Sequence, residues 1–453
     1  MVPRISADGA ECVLSSGVWV RSTNTPYPGE EPRENFVVKD LDGDGEVLTM
    51  RVKDPSGAYK VSPEDPRLMI LREPTDFLEE QGPFYHLFPE GEFRNFDGFT
   101  KKFENPYRFD LNRQAPALFS PREYGAGPLP LYLKEAQALA KAFVERSNIV
   151  GVHTHHTFGG FLLRPSSSRP DTEFSTLDLE IYKLIGKVGE SITGYKPLSV
   201  YHDFKYDPKS VTTGAWDDWH YDHRGVFSWT TEIWSLAHQA GVKKEKALEI
   251  YQNPTAQELL SFIKWCETHL NPSDYFKPWV SYQHPQLGAV EIGGWRTLYT
   301  WRNPPLKFLK TELEKLTEFT LQQAQMSPMV HVKDISVSSL GAQLYQLKVV
   351  VQNTGFLPTY VSEMAKSLKV YASPMVNLKL DSKQKLIEGK EQATTNHLSG
   401  RAEAWPWVSP VWSHDVSNTH ESQFCWVLQG SGKVEFEAKY GTGGTVRAKV
   451  DIQ

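Results

Sequence analysis

Asn148-Ile149-Val150-Gly151-Val152-His153-Thr154-His155-His156-Thr157-Phe158-Gly159-Gly160 reads as a buried apolar strand that runs into a histidine-rich end and closes on two glycines. From Pro130 onward, Leu131, Ala136, Leu139, Ala140 and Phe143 recur at helical spacing, so a helix feeds this strand. The same order returns downstream. Leu177 to Ile192 has a helical period, Gly194 suits a left-handed C-cap, and Leu198-Ser199-Val200-Tyr201 reads as the next strand. Helices alternating with strands imply an α/β domain.

On the N-terminal side, the stretch to about Tyr124 is rich in Pro, Gly and Asp and poor in sustained apolar periods, which predicts loops and a poor independent core. On the C-terminal side, Thr255-Ala256-Gln257-Glu258 is a capping box opening a helix through Trp265. Leu306, Leu309, Leu313 and Leu316 make one face of a helix that starts after Pro304-Pro305, and both helices read as scaffold. After Ser327-Pro328 the period becomes two: Tyr345, Leu347, Val349 and Val351 alternate with polar neighbours, as do Val434, Phe436 and Ala438. With a hairpin signal at Gly441-Thr442-Gly443-Gly444, this predicts an α/β domain over 1–326 and an antiparallel β-sandwich, immunoglobulin-like or transthyretin-like, over 327–453.

At 453 residues the chain is long enough for two domains, and 40% hydrophobic with 12% aromatic residues can fill a large core. No apolar run approaches the ~20 residues of a membrane span. A net charge of -6 without a basic stripe argues against nucleic acid as a partner. Cys12, Cys266 and Cys425 show no C-x-x-C spacing, so neither a disulfide framework nor a thiolate metal site is indicated. Met1 to Ile5 do not read as a leader peptide.

Three separated segments carry chemistry. The histidine cluster at the strand end is a metal candidate or a set of hydrogen-bonded structural histidines; because alternate residues point to opposite faces, His153 and His156 cannot serve one site alike. Glu232 sits in an aromatic, β-prone run, Phe227 to Trp234. Buried there it would have the raised pKa a general base or acid needs, whereas at a strand end facing water it would be ordinary. In Arg108-Phe109-Asp110-Leu111-Asn112-Arg113 an amide beside a guanidinium suits a terminal carboxylate, and a surface salt bridge is the alternative.

Together the segments resemble the zinc carboxypeptidases of the funnelin type. The family's third zinc ligand ends a strand in a pattern like His156-Thr157-Phe158-Gly159-Gly160-Phe161-Leu162-Leu163-Arg164-Pro165. Its D-x-N-R motif looks like Asp110-Leu111-Asn112-Arg113, its D-W-x-Y motif like Asp218-Trp219-His220-Tyr221, and its catalytic glutamate falls on Glu232. Ser6-Ala7-Asp8-Gly9 resembles the N-P-D-G turn and Arg21-Ser22 the R-S motif. The resemblance covers roughly residues 1 to 326. It implies a mixed central sheet with flanking helices, one zinc ion held by His156, and Glu232 deprotonating the zinc-bound water. Arg21 would stabilise the oxyanion, and Asn112 with Arg113 would hold the free C-terminus of a peptide substrate. The pocket-floor position falls on Asp217, where acid would favour Lys or Arg side chains, and the mobile tyrosine is nearest in character to Tyr206. By the same resemblance the protein would work outside the cell or in the periplasm.

The family draws its other two zinc ligands from an H-x-x-E motif upstream of the N-P-D-G turn, and no H-x-x-E occurs in these 453 residues. One imidazole does not retain a catalytic zinc. The expectation is therefore a carboxypeptidase missing its first ligand segment and inactive as it stands; the rival is a non-catalytic module that binds peptide C-termini or cell-wall peptides. Asp40-Leu41-Asp42-Gly43-Asp44-Gly45 mimics the start of a calcium loop, but its twelfth position is Arg51, and an Asx-rich turn is the plainer reading. Trp405-Pro406-Trp407 with Trp412 reads as loop packing or an aromatic platform, and His414, Asp415, His420 and Glu421 as exposed polar residues.

Overall fold

Phe227–Ile233, composed almost entirely of aromatic, β-branched and small hydroxyl residues, favours a strand buried on both faces, and it takes the central place in a four-stranded sheet. A computed structural model describes residues 1–23, 25, 35–77, 81–99, 109–205, 209, 211–243, 248–249, 254–371, 373–404 and 419–453. The sheet order is Gly151–Thr157, Phe227–Ile233, Phe161–Arg164, Lys196–Ser199; the outer pairs are parallel and the middle pair antiparallel, so the sheet is mixed. His156 stands opposite Glu232 in the parallel register. Side chains alternate between faces along both strands, so Val152, Thr154 and His156 share one face with Ser228, Thr230 and Glu232.

The other face carries Thr176–Thr193 and Leu306–Gln325, which bury Ile181, Tyr182, Ile185, Leu316 and Phe319 around Trp229. Trp229 is 1% exposed, a burial that contributes roughly 2–3 kcal/mol. The second helix departs from expectation. Its sheet-facing row runs through Glu312, Leu316, Phe319 and Gln323, while Leu306 is 80% and Leu313 48% exposed. The leucine periodicity was therefore displaced by part of a turn from the buried row. Similarly, the strand expected over Leu198 to Tyr201 is Lys196–Ser199, and Val200–Asp203 turns into a short helix capped by the Ser199 hydroxyl.

As expected, most of the described residues before Tyr124 lie in turns and connections, with short elements between them. A helix, Ala7–Ser16, opens the chain, and strands Thr49–Lys53, Tyr59–Val61, Met69–Leu71 and Phe84–Pro89 join Phe276–His284 and Gly288–Trp295 in a six-stranded antiparallel sheet. Its core of Met50, Val52, Phe88, Val290 and Ile292 is completed only by the distant hairpin, which is why short strands here show little period of their own.

Beyond residue 329, two four-stranded antiparallel sheets share one core, with Leu347, Val349, Trp426 and Leu428 on one side and Val376, Leu378, Val434 and Phe436 on the other. The Gly441–Gly443 turn joins strands Gly432–Lys439 and Thr445–Ile452. This part is pinned to the α/β part by Asp178, whose buried carboxylate accepts from the amides of Glu363 (2.9 Å) and Met364 (3.0 Å) and from the Tyr221 hydroxyl (2.9 Å).

Candidate functional site

Arg21 is placed by the chain start. The first turn of Ala7–Ser16 is fixed to the segment after it: Asp8 accepts from the Thr23 hydroxyl (2.9 Å), and a Cβ on Gly9 would lie 2.2 Å from the Ser22 carbonyl oxygen. That approach admits only glycine. Arg21 then donates through Nε to Asp110 (2.8 Å), and the Ser22 hydroxyl donates to the same carboxylate (3.1 Å).

Asp110 organises the next motif as well. It caps the short 3₁₀ turn Leu111–Arg113 through the Asn112 amide (2.8 Å) and lies 3.8 Å from Arg113 Nη1. Asn112 Oδ1 accepts the amide of Trp216 (3.0 Å), an orphan donor at the start of helix Trp216–Arg224, and Trp216 Nε1 donates to the Leu111 carbonyl (2.7 Å). Gly214, at φ 68°, packs so closely that a Cβ would come within 2.4 Å of the Arg113 carbonyl oxygen. Arg113 is 12% exposed, so it is not an ordinary surface ion pair.

These elements converge with the central sheet. Arg21, Asn112, Arg113, His156, Asp217 and Glu232 line one cavity of about 290 Å³. His156 Nδ1 lies 3.9 Å from Glu232 Oε1, and the imidazole is 28% exposed. His153, on the opposite face, bonds Thr320 (2.9 Å) and Thr231 (2.5 Å) and takes no part, and the ring of His155 lies against it at a tilt, 4.6 Å between centroids.

Electrostatics sort the groups. Burial raises Asp110, but Arg21, Arg113 and the Asn112 amide outweigh it and hold the carboxyl below its usual range. Burial, helped by Arg21, lowers His156 to about 4, so the imidazole is neutral at pH 7. Glu232 is pushed up to about 8, mainly by burial, with Asp217 and Asp110 adding and Arg21 opposing. Asp217 rises to about 6 through burial, restrained by its own amide, that of Asp218, and Arg113. The cavity thus brings together two arginines that share Asp110, the Asn112 amide, the His156–Glu232 pair and the titratable acid Asp217.

Comparison with known proteins adds little about this part of the chain. The family profile described as "Domain of unknown function (DUF8731)" matches residues 329–451. No curated protein matches the chain. Among solved structures, that of thrombin activatable fibrinolysis inhibitor (TAFI) is 20% identical over 40% of this chain and 45% of its own, with a TM-score of 0.23. β-Glucosidase 3B from Thermotoga neapolitana is 10% identical over 28% of this chain and 16% of its own, at 0.14. The chain thus spans less than half the length of either, and TM-scores this low carry no argument about the site.

The donor set does not fit a catalytic zinc, which needs three protein ligands and an open position. Among the described residues, the trio able to converge on a metal is Asp40, Asp42 and Asp44, and it does not include His156. Those three aspartates also accept amides of their own turn, Asp40 from Gly43 (2.7 Å) and Gly45 (2.9 Å), and Lys277 reaches Asp44 (3.2 Å), as an Asx turn does. Tyr206 lies outside the described residues, as do Arg108, Trp405, Pro406, Trp407, Trp412, His414 and Asp415. Trp19, Phe158 and Arg302 also line the cavity; Phe158 falls within the His156 motif, whereas no motif marks Trp19 or Arg302, and only proximity in the fold reveals them.

Proposed function

We propose that this cavity captures the free C-terminal residue of a peptide, as a cleft of carboxypeptidase type. Asn112 and Arg113 hold the terminal carboxylate, Arg21 faces the carbonyl of the last peptide bond, and Asp217 receives a basic side chain. The observation that carries this reading is the convergence of Arg21, Asn112, Arg113, His156, Asp217 and Glu232, far apart in sequence, on one cavity. Asp110 is a positioning residue, because one buried carboxylate orients both arginines. Guanidinium and amide donors recognise a carboxylate by charge-assisted hydrogen bonds, which an amidated terminus cannot match.

Hydrolysis is a separate matter. One imidazole does not hold a catalytic zinc, so no hydrolytic step is derived from the described residues. That favours binding without cleavage for the chain as described, with zinc peptidase chemistry reserved for a protein in which two further ligands approach His156.

A fluorescent peptide ending in lysine tests this. The acid is expected to bind at least ~10-fold more tightly than its C-terminal amide, and Arg113→Ala to abolish the difference. Equal affinities for acid and amide would refute the reading. Lysine release by the purified chain loaded with zinc would overturn the claim of binding without cleavage.

A further inference from the structure

Helix Leu306–Gln325 buries one row of side chains and leaves an apolar row uncovered. Leu306 is 80%, Leu313 48% and Leu321 58% exposed, and with Leu309 they line a shallow groove of about 680 Å³ on the helix flank. The packing of the helix fixes where that flank points. Phe319 meets His153 of strand Gly151–Thr157 (4.9 Å between ring centroids) and Trp229 of strand Phe227–Ile233 (6.3 Å), so the helix lies over these two strands together. On one flank Phe319 closes on Gly189 of helix Thr176–Thr193, where a Cβ would meet its ring at 2.8 Å; on the other, Thr320 bonds His153 (2.9 Å). At about 100° per residue, Leu313 and Leu306 follow Thr320 round the helix, away from Thr176–Thr193. The leucine row therefore overhangs the outer edge of Gly151–Thr157, and among the described residues no strand pairs with that edge. An open strand edge beside an apolar helix flank is a surface suited to pairing with another chain.

We propose that this surface joins two copies of the chain about a two-fold axis, with the Gly151–Thr157 edges antiparallel and the two Leu306–Gln325 helices side by side. The spacing closes. Strands pair about 4.8 Å apart, so helices centred over the two outermost strands of each copy come to about 10 Å, a distance at which helices pack. The charges favour the antiparallel sense. Lys310 lies in the N-terminal half of the row and Glu314 and Glu318 in the C-terminal half, so reversal brings Lys310 of each copy toward the acids of the other. Within its own helix Lys310 makes an exposed 3.8 Å contact to Glu314, which leaves it able to reach across. Leu313, near the middle of the row, meets its own counterpart, as a self-complementary patch requires. From Leu306 to Leu321 the flank is about 24 Å long and falls short of the ~800 Å² per partner of a standard interface; the strand edge extends the contact, and the affinity is micromolar. His156 and Glu232 project from the other face of the sheet, so the association neither uses the peptide-binding reading nor depends on it.

The test is sedimentation velocity of the intact chain from ~1 to ~100 μM, where a concentration-dependent shift from monomer to dimer is expected. Leu313→Asp should stay monomeric throughout, with an unchanged circular dichroism spectrum because the side chain it replaces is half exposed. Lys310→Glu should weaken the dimer at least ~5-fold, and adding Glu314→Lys and Glu318→Lys to it should restore most of the loss, which a merely damaged surface would not do. A wild-type chain that is monomeric at every concentration would overturn the inference and leave the leucine row to some other polypeptide. A dimer that Leu313→Asp leaves intact would overturn it too, since the copies would then meet through a different surface.

Discussion

His220 offers the sharpest test of how this fold is built. It is 2% exposed, wedged on helix Trp216–Arg224 against Phe143 at 4.6 Å between ring centroids, and neither ring nitrogen has a partner. An unsatisfied buried polar group costs roughly 1–3 kcal/mol, so His220→Leu should stabilise the protein even at pH 7.5. Burial also lowers the imidazole from 6.5 to about 3, so between those values the unfolded chain binds a proton that the folded one refuses. Stability therefore falls as pH drops below 6.5, by ~1.4 kcal/mol per unit, or about 2 kcal/mol by pH 5. Urea unfolding at pH 7.5, 6.0 and 5.0 should show the advantage of His220→Leu over wild type growing by about that amount. A difference independent of pH would mean that His220 is solvated or charged in the native state, and the packing described around it would be wrong.

The site yields further expectations. Asp110→Asn leaves Arg21 and Arg113 without their shared charge, which should cost about 3 kcal/mol in urea unfolding and weaken peptide-acid binding in a fluorescence titration. The lowered carboxyl supplies its stability above pH ~4, losing it as pH falls through the folded value, so this variant should show a flatter acid limb below about pH 4. Gly214→Ala puts a methyl 2.4 Å from the Arg113 carbonyl oxygen at φ 68°, and should lower stability by more than ~1 kcal/mol while impairing binding. Asp217, with a pKa of about 6, should prefer lysine-terminated over leucine-terminated peptides more strongly at pH 7.5 than at pH 5; Asp217→Asn should remove the pH dependence, as read by competition binding.

Period and punctuation made much of the scaffold legible. Gly194 showed the end of helix Thr176–Thr193, and Thr255 with Glu258 the capping box that opens Ala256–His269; the strand read as buried over Asn148 to His153 is Gly151–Thr157, a half-buried edge strand that includes the histidines. Alternation along the strands also separated His153 from His156. What failed was anything completed from a distance. The strands between Thr49 and Pro89 are three to six residues long and acquire a core only against Phe276–His284 and Gly288–Trp295. In the helix Leu306–Gln325, the polar Glu312 and Gln323 are buried because Glu312 accepts from the Tyr195 hydroxyl and Gln323 donates to the Phe227 carbonyl, so apolarity alone misplaced the buried row. The motif residues were visible singly, but Asp110 as the common partner of two arginines, and Arg302 stacked on Trp19, belong to the fold.

A crystal structure of the chain with a lysine-terminated peptide acid bears most directly on the central claim. The terminal carboxylate is expected within hydrogen-bonding distance of Asn112 and Arg113, with the lysine side chain directed to Asp217. Density for the peptide elsewhere on the surface, with this cavity empty, would contradict the account.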